Sequence, residues 1–153
     1  GASSLQDERL PNFLADRQPT FSWEQLPVDD NWLYPELVSN LQRICHQVHF
    51  TLGPGFLHQV YRRATLAELR RSGLSYNYIK KLPIEYEGEL LGYREVRLLQ
   101  VANKILLATF ALRAQDEALV EQLRAHLRRL DCQLGLLANF YDTRLTVTPV
   151  RLK

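Results

Sequence analysis

Ile105-Leu106-Leu107-Ala108-Thr109-Phe110-Ala111-Leu112 carries a single polar side chain, that of Thr109. An apolar run of this length reads as a strand buried on both faces, and the rest of the sequence is organised around it. Downstream, residues 115–130 set Leu119, Val120, Leu123, Leu127 and Leu130 at helical spacing, with Arg124, Arg128 and Arg129 on the opposite side. Residues 134–140 form a short apolar strand. Residues 145–152 alternate as a last strand, and Pro149 consigns it to an edge. Upstream, Asn103 marks a turn after a strand over residues 90–101. Leu82, Ile84 and Tyr86 alternate with charged residues, and Glu87-Gly88-Glu89 suits a hairpin turn. Two helices precede this hairpin. The first opens at Pro35, a residue that favours a first turn, and repeats Leu37, Val38, Leu41, Ile44, Cys45, Val48 and Leu52 at three- and four-residue steps. Gly53-Pro54-Gly55 ends it. The second covers residues 56–72, with Leu57, Val60, Tyr61, Ala64 and Leu69 inward and Gly73 as its stop. Helix, helix, three strands, helix, two strands is an α/β order. It predicts a mixed sheet of four or five strands with helices on both faces.

Composition sets outer limits. Over 153 residues, 46% hydrophobic and 24% charged side chains exclude a disordered chain, a collagen-like repeat and a coiled-coil rod. No apolar run reaches the roughly 18 to 20 residues of a membrane-spanning helix. A net charge of +2 neither demands nor forbids a nucleic-acid partner. Cys45 and Cys132 are too far apart in sequence for a metal-binding spacing, and no signal-peptide pattern opens the chain. Reduced thiols in a cytoplasmic protein are therefore expected. Methionine is absent, and Gly1-Ala2-Ser3 reads as a scar of tag removal. Residues 1–34 form a separate unit. Pro11, Pro19, Pro27 and Pro35 recur every eight residues, which defeats any helical or strand period. Yet Phe13, Phe21, Trp23 and Trp32 are more than a disordered tail usually carries. An extended arm draped over the domain at 35–153, or over a partner subunit, is expected.

The stretch Val48-His49-Phe50-Thr51-Leu52-Gly53-Pro54-Gly55-Phe56-Leu57, with Val60-Tyr61 after it, resembles the GxxExxY family of the PD-(D/E)XK nuclease superfamily. Gln122 stands in the helix that such proteins open with Gln. Gly135-Leu136-Leu137-Ala138-Asn139-Phe140 is similar to their closing motif. The resemblance spans about residues 36–152 and implies a restriction-endonuclease-like core. A nuclease of this type gathers carboxylates around Mg²⁺, which activates water and neutralises charge on the phosphate. By the resemblance, the glutamate of GxxExxY falls on His58, the glutamate of ExK on Ala108 and its lysine on Phe110. The aspartate falls within Val96-Arg97-Leu98. None of these is acidic. Glu95 is the one carboxylate nearby, and strand alternation turns it from at least one of the aspartate positions.

The expectation is thus a domain that is not an enzyme, a nuclease fold without its catalytic residues, cofactor or metal, acting as a binding or assembly module. Protein partners or self-association as a homodimer are expected, with no membrane. Two alternatives accompany it: a nucleic-acid binder or residual nuclease that keeps the groove, and a small-molecule binder that uses the apolar former active site. The former active-site positions are His58, Val96, Leu98, Ala108, Phe110 and Gln122. Candidate binding residues are His49, Tyr61, Arg124, Arg128 and Arg129. Phe110 either fills the old cleft or leaves an apolar cavity that a ligand or the N-terminal arm occupies. His46, His49 and His58 raise a zinc site against plain packing and hydrogen bonding, and the latter reading is preferred. Arg62, Arg63, Arg70, Arg71, Lys80, Lys81, Arg124, Arg128 and Arg129 can track a phosphate backbone, although the usual explanation of arginines on helix surfaces is solvation and pairing, here with Glu68 or Glu121. Tyr76, Tyr78, Tyr86 and Tyr93 can stack on bases, or pack on a sheet in the ordinary way.

Overall fold

The computed structural model describes residues 33–114 and 117–152. Nearly all of the expected N-terminal arm lies outside that range. Two helices come first, α1 (Pro35–Leu52) and α2 (His58–Ser72). Three strands follow, β1 (Tyr76–Tyr86), β2 (Glu89–Val101) and β3 (Ile105–Phe110), then α3 (Glu117–Leu130), β4 (Leu134–Asn139) and β5 (Thr146–Arg151). This is the element order read from the sequence. The five strands form one sheet in the order β1-β2-β3-β4-β5. Only the β3–β4 pair is parallel, because α3 carries the chain back across the sheet between them. Every other neighbouring pair is antiparallel.

Strand periodicity sorts the core into two layers. Leu99, Val101, Ile105, Leu107, Leu134 and Leu136 face α1 and α2, where Val38, Leu41, Ile44, Cys45, Val48, Tyr61 and Leu69 complete the larger cluster. The alternate residues Leu98, Leu106, Phe110 and Leu137 face α3 and meet Leu123 and Leu127. β3 is covered on both faces, as its run of apolar residues requires. β5 is an edge strand, and Pro149, paired with Leu136, cannot donate to a further strand. Cys45 and Cys132 are free and buried. Among the described residues no helix is long and apolar enough to cross a membrane.

The hairpin turn between β1 and β2 is the two-residue Glu87-Gly88, both with positive φ (53° and 80°), as a tight hairpin twisted to match its strands requires. Two irregularities in this hairpin matter more. Ile79 pairs with Leu98 and Lys81 with Glu95, so Lys80 stands opposite both Val96 and Arg97. This is a β-bulge, and Arg97 adopts φ 55° within it. A second irregularity at Leu91 lies nearer the hairpin tip. The tip exposes Ile84, Tyr86, Leu90, Leu91 and Tyr93.

Candidate functional site: a groove between parted strands

β2 and β3 pair only through Leu99–Leu107, Gln100–Leu106 and Val101–Ile105. Beyond Leu99 toward the hairpin tip, β2 runs into the bulge, which bends a strand and strengthens its twist. The two strands therefore part, and the gap is an open groove of about 560 Å³. Its size falls within the roughly 300–1,000 Å³ typical of ligand clefts. Val96, Leu98, Ala108, Phe110, Leu123 and Leu137 give it an apolar floor. The start of α2 contributes Leu57, His58, Gln59 and Arg62 on one side. α3 contributes Leu119, Gln122 and His126 on the other, and Glu95 and Arg97 come from the bulged stretch of β2.

Local structure explains how each polar group comes to be there. His58 opens α2, and its Nδ1 accepts the backbone N–H of Ala111 at 3.1 Å. That bond fixes the neutral tautomer, so the proton sits on Nε2. One helical turn on, Arg62 shares this face at four-residue spacing. Gln122 and His126 repeat the same spacing on α3. Arg97 donates to the Glu95 carboxylate at 2.6 Å and to the Tyr78 hydroxyl at 3.3 Å. Burial lowers the pKa of His126, and the nearby Arg94 and Arg129 lower it further. Thr109 has the strand parity of Ile105 and Leu107, away from Ala108 and Phe110, and its buried hydroxyl has no partner among the described residues.

The six positions read as the former active site, His58, Val96, Leu98, Ala108, Phe110 and Gln122, all line this groove. Phe110 is 8% exposed and packs into the floor without filling the space. The five candidate binding residues lie elsewhere. His49 Nε2 bonds the carbonyl of Asp142 at 2.8 Å beneath the α1 layer. Tyr61 is fully buried, stacks on Phe140 at 4.6 Å and donates to the Gly53 carbonyl at 2.6 Å. Arg124 engages Glu121 and the Arg151 carbonyl, Arg129 donates to the Pro83 carbonyl, and exposed Arg128 does not line the groove. His46 and His49 sit on α1, away from the bond His58 makes. Among the described residues no group of three or more His, Cys, Asp or Glu side chains could hold a metal.

The family profile of the PD-(D/E)XK nuclease superfamily matches residues 35–151, from the start of α1 to the end of β5. The chain belongs to the PD-(D/E)XK nuclease superfamily. Neither the curated proteins nor the solved structures yield a match. Membership corrects the expectation that the domain is not an enzyme. The superfamily is one of nucleases. The described lining does not by itself fit Mg²⁺. That ion asks for several oxygen ligands, whereas Glu95 is the one carboxylate lining the groove, already bonded to Arg97. The residues that sequence reasoning missed here are Arg97 and His126. His126 was legible in its four-residue spacing from Gln122. Arg97 was not, because its direction depends on the bulge.

Proposed function

We propose that this domain, of the GxxExxY branch of the superfamily, binds nucleic acid in the groove between β2 and β3. The observation that carries the reading is the groove's make-up. Arg62, Arg97 and the Nε2–H of His58 line its walls above an apolar floor, and His58 and the stretch Val96–Leu98 are where the resemblance sets the family's site. Guanidinium and imidazole N–H groups suit phosphate oxygens, and the floor suits the face of a base. Free, buried Cys45 and Cys132 suit a reducing compartment such as the cytoplasm. The test is fluorescence anisotropy with labelled single- and double-stranded DNA and RNA, read between about 50 and 200 mM salt. Binding that weakens steeply with salt is expected, and Ala108→Phe, which fills the floor, should weaken it at every salt concentration. Cleavage in Mg²⁺ or Mn²⁺ is read on the same samples, with Glu95→Ala as the comparison. No binding to any of the four probes at the lowest salt overturns the reading.

A second reading rests on the hairpin tip. It exposes Ile84 and Tyr86 on one face and Leu90 and Tyr93 on the other, with Leu91 at the irregularity between them, and apolar groups left in water at a hairpin tip suit self-association. Sedimentation of the wild type against Leu91→Lys and Tyr93→Lys tests it, and a monomer at all concentrations refutes it.

A further inference from the structure

Three cations gather around one tyrosine where α2 faces the hairpin. The Arg62 guanidinium lies 5.9 Å and the Lys80 ammonium 5.8 Å from the centre of the Tyr78 ring. Arg97 donates to the Tyr78 hydroxyl. Against these three positive charges stands one carboxylate, Glu95, which bonds Arg97 from a largely exposed position. Among the described residues neither Arg62 nor Lys80 has a carboxylate partner. Such a cluster repels itself, and solvent-exposed cations normally disperse or pair unless an anion joins them.

The backbone adds a second, independent observation. Arg97 has φ 55°, a left-handed conformation that a long side chain rarely adopts and that costs free energy. The contacts given for Arg97 are polar, its bonds to Glu95 and Tyr78, and glycine or asparagine would be less strained at this φ. The bulge sets Val96 and Arg97 together against Lys80, so both cations leave the hairpin at one point beside Tyr78. The strain is repaid if the guanidinium is wanted there.

We infer that Arg62, Lys80 and Arg97, gathered by Tyr78, form a phosphodiester-binding site at the α2 side of the groove, with Arg97 directed by the β2 bulge. This rests on the nucleic-acid reading above and specifies where the backbone is held. A phosphate competes with Glu95 for the Arg97 fork. That exchange is easy, because an exposed ion pair is weak and a guanidinium matches phosphate in two parallel hydrogen bonds. Tyr78 keeps Arg97 oriented during the exchange.

The experiment compares the wild type with Arg97→Gly, Arg97→Lys, Arg62→Gln and Lys80→Gln on a labelled oligonucleotide across a salt series, with thermal melting of each protein. Arg97→Gly should leave the melting temperature unchanged or raise it, since glycine accepts the positive φ. It should also weaken binding roughly tenfold and reduce the salt slope by about one. Arg97→Lys should recover only part of the affinity, because a point charge replaces the fork. Arg62→Gln and Lys80→Gln should each flatten the slope in the same way. Wild-type affinity and slope in all four variants would overturn the site while leaving the nucleic-acid reading intact. A wild type that binds no oligonucleotide removes both. A lowered melting temperature with unchanged affinity in Arg97→Gly would make Arg97 structural and overturn the proposal.

Discussion

Asn139 holds the backbone just past the groove with both ends of its amide. Its Oδ1 accepts the N–H groups of Leu112 and Tyr141, each at 3.1 Å, and its Nδ2 donates to the Leu112 carbonyl at 3.0 Å. Leu112 follows Ala111, whose N–H fixes the His58 ring. One side chain thus steadies the exit of β3 and, through it, the imidazole in the groove. Asn139→Ala leaves partly buried backbone groups unpaired, and a loss of about 1–3 kcal/mol in urea unfolding is expected. Its nucleic-acid affinity should fall along with its stability. Unchanged stability would show that water replaces the amide without cost. Tyr61 works similarly in the other layer: its hydroxyl accepts the Phe56 N–H at 3.2 Å and donates to Gly53. Tyr61→Phe keeps the stack on Phe140 while losing both bonds, so a loss of about 1 kcal/mol with unaltered groove binding is expected.

The element that decides the site is β2, and it marks where sequence reading stops. A strand over residues 90–101 is read from the sequence against Glu89–Val101 in the structure, period-two alternation marks the end of β1, and the apolar run gives β3, because burial of a face writes itself into residue type. The spacing of Val48 to Leu57 and of Gly135 to Phe140 points to the superfamily that the family profile shows, since Tyr61, Asn139 and Phe140 are fixed by contacts the fold needs. A bulge leaves no comparable trace. Arginine at positive φ contradicts local preference, so nothing in Glu95-Val96-Arg97-Leu98 announces that β2 parts from β3 there or that all four residues reach the groove. The groove's other wall is set by close approach. A Cβ on Gly135 of β4 would lie 2.7 Å from Leu123 Cδ2, 3.0 Å from its Cγ and 3.4 Å from the Leu106 carbonyl oxygen. Gly135→Ala must push α3 outward or force Leu123 from its rotamer, and overpacking of this kind costs about 1–3 kcal/mol. Because Leu123 also lines the groove, the same variant should change oligonucleotide affinity. Full retention of both properties would mean that α3 is loosely seated.

At the scale of the whole molecule, the two layers respond to pH in the same direction. His46, on α1, is partly buried, and burial, followed by the charge of nearby His49, lowers its pKa below the usual 6.5. His126, on α3, is lowered by burial first and then by Arg94 of β2 and Arg129 of its own helix. Both therefore bind a proton less readily in the folded chain than in the unfolded one. The unfolded state takes up more protons between the lowered values and about 6.5, so stability is fully present above that pH and declines as the pH falls through it. Urea midpoints measured from pH 7.5 down to pH 5 should fall steadily, and His46→Gln with His126→Gln should flatten the curve. The two residues also separate function from fold, because only His126 lines the groove. A further phosphate of the same strand, beyond the one held at the α2 side, would reach His126, offset the repulsion from Arg94 and Arg129 and favour the charged imidazole, so nucleic acid that crosses the groove should reduce the pH dependence contributed by His126 and leave that of His46 unchanged. Oligonucleotide present throughout the titration should therefore flatten the His46→Gln curve and leave the His126→Gln curve as steep as before. A His46→Gln curve that stays as steep with oligonucleotide as without it would place the bound phosphate away from α3.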